Sequence, residues 1–169
     1  SKGIEVLTVA MDAQGAVKAR PYVELATGTF QTVVDAENML GGMYGFRAIP
    51  NGYLIDENGV VEYEKLGGFD IRKLETALVV NRWADGEGLA AAQNPKSEAK
   101  DGPSAKAIAL FQKGLELYNS DSVGEAMALW QQGLALDPDN YIILKQIWAV
   151  ENPDRFYAGN IDYDWQREQ

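Results

Sequence analysis

The chain has 169 residues and a formal net charge of −10, with 25 Asp and Glu against 15 Lys and Arg, which argues against a surface that tracks nucleic-acid or lipid phosphates. It has no cysteine and no histidine, so disulfides, thiolate nucleophiles, the usual zinc sites and the usual near-neutral general base are all excluded. At 46% hydrophobic and 24% charged, without an apolar run of membrane-spanning length or a signal-peptide pattern, it reads as a globular domain or a small domain with an appendage.

Residues 3–12, GIEVLTVAMD, are an apolar, β-branched run that predicts a buried strand ending at an aspartate. Residues 13–28 offer a helix whose face is Ala16, Val17, Ala19, Tyr22, Val23 and Leu25, with Gly28 as the stop. Pro21 suits that helix only if the helix begins near it. Residues 29–35 are β-prone, and 36–46, AENMLGGMYGF, suit a short helix ended by glycine. Strands at 52–56 and 60–66 flank DENG, where Asn58-Gly59 predicts a tight hairpin. Over 69–83, Ile71, Leu74, Leu78, Val79 and Trp83 recur at helical spacing with Asp70 near the start.

The composition shifts at 84–104, rich in Gly, Ala, Pro and charge, which predicts a linker holding at most a helical turn. Beyond it Ile108, Phe111, Leu115 and Tyr118 form one helical stripe. Val123, Ala126, Leu129, Trp130, Gly133 and Leu134 form a second, stopped by Asp137-Pro138. A third helix follows at 141–157, broken at Asn152-Pro153, and the aromatic, acidic end is expected to lie over another surface.

Asp12, Asp35 and Asp56 each end or follow a strand segment. Carboxylates clustered at strand ends bind metals or work as acid/base pairs; more often they cap helices and turns, and Asp56 in DENG reads as a turn residue. DPDN at 137–140 lacks the glycine and terminal glutamate of a calcium loop, and GGMYG at 41–45 lacks the lysine and spacing of a phosphate loop. No motif calls for a cofactor or a metal. Trp130, Phe156, Tyr157 and Trp165 are candidate partner-binding aromatics, set against the alternative that they cover the helical tail from inside.

The strand IEVLTVAMD, the segment VVDAENMLGGMYGFRAIPNGYLID, the return strand GVVEYEKLGG and the closing helix together resemble the later part of a thioredoxin-like redoxin domain, of the peroxiredoxin and TlpA/ResA-like thiol–disulfide oxidoreductase kind. An isolated X-Pro bond is cis in only about 5–6% of cases, but the resemblance implies a cis Ile49–Pro50 bond. It also implies that Ala48, Ile49, Pro50 and Asn51 form a substrate-cradling loop. The Cys-x-x-Cys unit of that family belongs to a strand and helix ahead of the strand that here begins at Gly3. The chain as given starts after them, as expected of a domain fragment, a misplaced start, or a start called downstream of a selenocysteine codon. That strand lies between IEVLTV and GYLID in the family. Its loss is expected to leave two strands that either pair directly or accept another chain, with a homodimer or domain-swapped form as one outcome.

ALFQKGLELYNSDSVGEAMALWQQGLALDPDN is similar to one tetratricopeptide unit. Gly114, Ala126 and Gly133 stand where its paired helices touch, Leu110 and Trp130 supply bulk, and Lys113 departs from the pattern. A single unit must bury its face on the third helix, on the first domain or on a partner. The expected fold is therefore α/β: a truncated thioredoxin-like sheet over 1–83, a linker over 84–104, and an all-α tetratricopeptide-like tail over 105–169. The expected function is a scaffold or interaction module without redox activity of its own. The alternatives are a noncatalytic adaptor that binds through the tail, and a carboxylate-based enzyme. A protein partner or self-association is expected, and neither nucleic acid nor membrane. The family resemblance leans toward an extracytoplasmic location.

Overall fold

The computed structural model describes residues 3–87, 89, 103–159 and 161–169. Strand β1 (Leu7–Ala10) is followed by helix α1 (Ala16–Ala26), strand β2 (Gln31–Val34), helix α2 (Met39–Tyr44), strands β3 (Asn51–Ile55) and β4 (Val61–Leu66), and helix α3 (Leu74–Ala84). The rest is helical: α4 (Pro103–Asn119), α5 (Val123–Leu136), α6 (Tyr141–Glu151), α7 (Pro153–Tyr157) and α8 (Tyr163–Glu168). Most of the expected linker, residues 88 and 90–102, lies outside the described residues.

The described strands make two separate sheets. β1 runs parallel to β2 with Leu7 opposite Gln31 and Ala10 opposite Val34, and β3 runs antiparallel to β4 with a bulge at Leu54/Ile55. β1 and β3 do not pair, so the direct pairing allowed by the sequence is not the outcome. The Ile49–Pro50 bond is cis. The chain is thus a mixed helix-and-strand protein in which each strand has one neighbour.

Several elements sit differently from their sequence reading. Helix α1 starts at Ala16 and holds Pro21 in its interior. The carbonyl freed by the missing N–H belongs to Val17, on a turn whose side chain is 80% exposed, so solvent is at hand. The helix ends one residue early, with Thr27 rather than Gly28 taking the left-handed cap. Asp70 does not start α3; it closes the preceding turn by accepting the Arg72 N–H and guanidinium at 2.8–3.0 Å. The apolar stripe of α3 is also only partly used. Thr76 is buried and Val79 and Trp83 are half-buried, but Ile71, Leu74 and Leu78 face solvent, because a two-stranded sheet is too narrow to cover them.

The core belongs mainly to the tail. Ala107, Phe111, Leu115, Trp130, Ile143 and Ile147 form one cluster that also takes in Ala13, with Ala36 packed against it. The tail therefore buries its face on its own third helix and on the first part of the chain together. α4 and α5 approach closely because Gly114 and Gly133 carry no side chain. A Cβ on Gly114 would stand 2.5 Å from Trp130 Nε1, and one on Gly133 would stand 3.0 Å from the Ala107 carbonyl. Lys113, odd in the sequence pattern, simply points to solvent.

Candidate functional site

A groove of about 560 Å³ lies between β1, α1, the Ile49–Pro50 turn and α6, closed at one end by α7 and α8. Its origin is the division of the strands into two sheets. The Ala10 carbonyl accepts the Asp35 N–H. In a parallel ladder this turns Thr8 and Ala10 toward β2 and leaves the Val9 N–H and C=O on the opposite edge, where no strand pairs with them among the described residues. Thr8, Val9 and Ala10 line the groove together with Thr32 of β2, and Ile49 and Pro50 also border it. Just past the end of β1, Gln146 of α6 donates to the Met11 carbonyl at 3.2 Å and accepts the Ala13 N–H at 3.0 Å.

Asp12 stands in the groove at the end of β1. Its carboxylate accepts the Gln14 N–H at 2.8 Å and the Tyr157 hydroxyl at 3.2–3.3 Å. Gln14 Nε2 donates to Tyr157 Oη at 3.1 Å, and Lys18 Nζ lies 4.7 Å from the centre of the Tyr157 ring. The Tyr22 hydroxyl donates to the Phe156 carbonyl, tying α1 to α7. Burial raises the Asp12 pKa above the ordinary carboxylate value, outweighing the Gln14 and Tyr157 hydrogen bonds and the attraction of Lys18. Burial, then the Asp12 charge, also pushes the Tyr157 and Tyr22 phenols up.

The other two strand-end carboxylates are structural. Asp35 accepts the Met39 and Leu40 N–H groups at the start of α2. Asp56 accepts the Asn58 and Val60 N–H groups within the hairpin turn. Among the described residues no three acidic side chains gather as a metal cluster, and no helix is long and apolar enough to cross a membrane.

Of the expected loop, Ile49 and Pro50 border the groove while Ala48 and Asn51 do not. Asn51 stitches the turn instead, donating to the Ala48 carbonyl at 2.6 Å and accepting the Gly67 N–H at 3.2 Å. Trp130, a candidate partner-binding aromatic, has no exposed surface. It is fully buried, its Nε1 donates to the Phe111 carbonyl at 2.9 Å, and its ring lies between Phe111 and Tyr118. Phe156 is buried as well, and Trp165 packs edge-on against Phe156 and Trp148, so the aromatic end covers the tail from inside. Tyr157 alone of the four meets the groove together with a charged partner.

A second polar junction lies at Asp137, which the sequence offers as a helix stop and not as a calcium-loop ligand. Asp137 is buried, accepts the Ser104 hydroxyl and Asn140 Nδ2 at 3.1 Å, and forms an ion pair with Arg47 Nε at 3.3 Å. It fastens the α2–β3 connection to the α4 start and the α5–α6 turn. No family model, curated protein or solved structure matches this chain.

Proposed function

We propose that this chain is a protein-interaction scaffold of thioredoxin-like type that takes an extended polypeptide along the free edge of β1. The observation that carries the reading is the outward Val9 peptide group lining a groove of about 560 Å³. Two-stranded sheets are marginal on their own, and an unpaired edge is a template for a further strand. In the thioredoxin-like sheet that the sequence resembles, a strand lies between the counterparts of β1 and β3, which is where this groove runs. Without a thiol the chain carries out no thiol–disulfide exchange, so its contribution is recognition rather than redox chemistry. The buried Trp130 and Phe156 favour the groove over the tail as the binding surface.

The test is selection of a random heptapeptide library displayed on phage. Wild type is expected to enrich extended, apolar-alternating sequences. A Val9→Pro variant keeps the β2 ladder, since proline is tolerated where the N–H faces away from the sheet, and is expected to enrich none while melting within a few degrees of wild type. No enrichment by wild type, or equal enrichment by both proteins, would overturn the reading.

A further inference from the structure

We infer that the Asp12 end of the groove is a subsite for a cationic side chain, so that the accepted strand is one carrying Lys or Arg at a fixed position. This rests on the strand-accepting reading above and adds the chemistry of the partner.

A carboxylate has about four acceptor positions. Asp12 fills them in part, from the Gln14 N–H and the Tyr157 hydroxyl. Both donors are neutral. Lys18, whose charge acts on Asp12, lies over the Tyr157 ring and is the weakest of the influences on the Asp12 charge. Burial outweighs all three, leaving a carboxylate under-compensated at one end of a mainly apolar groove that Lys145, Gln146 and Gln166 also border. Tyr22, Tyr157 and Tyr163 border the same space, and aromatic faces attract cations most strongly where water is excluded. The chain as a whole carries a net charge of −10, which draws basic partners toward the surface and repels a second copy. A basic segment fits both the local and the overall charge; another copy of this acidic chain fits neither.

The same heptapeptide library separates the two claims when selected on wild type and on Asp12→Asn. The expected result is that wild type enriches apolar, extended sequences with Lys or Arg at one position by roughly tenfold over its library frequency, a modest charge-assisted contact. Asp12→Asn is expected to enrich the same apolar pattern with that preference gone. Apolar enrichment without a basic position on wild type, or a basic preference that survives in Asp12→Asn, overturns the subsite and leaves the strand-accepting scaffold standing. No enrichment at all overturns both. A concentration-dependent dimer by light scattering, whose formation competes with the selected peptides, makes the occupant a second copy and overturns the basic-partner inference.

Discussion

Asp12 carries opposite consequences for binding and for stability. Its folded pKa is raised by burial, so the folded chain holds the proton more tightly than the unfolded chain does. Asp12 therefore favours folding most below the unfolded carboxylate value, and that contribution is lost as pH rises through the folded value. Asp12→Asn keeps an oxygen acceptor for the Gln14 N–H and the Tyr157 hydroxyl while removing the charge. At pH 7 the variant is expected to be at least as stable as wild type by urea denaturation, with the gap closing toward pH 4. A variant less stable at pH 7 than at pH 4, relative to wild type, would contradict the burial argument. The sequence marked Asp12 and Tyr157 separately, one at a strand end and one among tail aromatics. It gave no sign that they meet, since 145 positions separate them and the contact depends on how α7 packs. The contacts of Tyr22, read only as part of a helix face, and of Gln146 were not legible for the same reason: a tyrosine and a glutamine on amphipathic helices carry no local signal of what faces them.

Elements whose boundaries depend on local chemistry were legible. The β3–β4 hairpin follows from Asn58-Gly59 and from the Asp56 carboxylate gathering the turn N–H groups. The break between α6 and α7 follows from Pro153, and α2 ends where Gly45 takes the left-handed conformation. The buried side of α3 was not legible, because its periodicity is satisfied by a face the narrow β3–β4 sheet cannot reach. The α4–α5 pair was read from small residues and makes a sharp prediction. Alanine in a helix interior gains up to about 1 kcal/mol over glycine. At Gly114 the new methyl would press on a Trp130 indole that is fully buried and held to the Phe111 carbonyl. Gly114→Ala is expected to cost about 1–3 kcal/mol net. Gly124→Ala, on α5 with nothing within 4 Å, is expected to be neutral or stabilising by a few tenths of a kcal/mol, given its place in the first turn. Equal thermal shifts for the two variants would show that the helices are not packed through Gly114.

For the whole molecule, the strands and the helical tail follow from neighbours in the chain, whereas the cis Ile49–Pro50 bond is implied only by the family resemblance. The sequence left open whether β1 and β3 pair, because that depends on what fills the space between them. The structure keeps them apart and fastens the assembly from the side. Gln146 holds the end of β1, Tyr22 meets the Phe156 carbonyl, and Asp137 joins Arg47 to the tail. The central claim is that the outer edge of β1 is open and receives a strand. Amide hydrogen exchange at single residues tests it most directly. In the free protein the Val9 amide is predicted to exchange far faster than those of Thr8 and Ala10, which face β2, and to become as protected as they are when a selected peptide is added. A Val9 amide already as slow as Ala10 in the free monomer, or unchanged by a peptide that binds, would contradict the account.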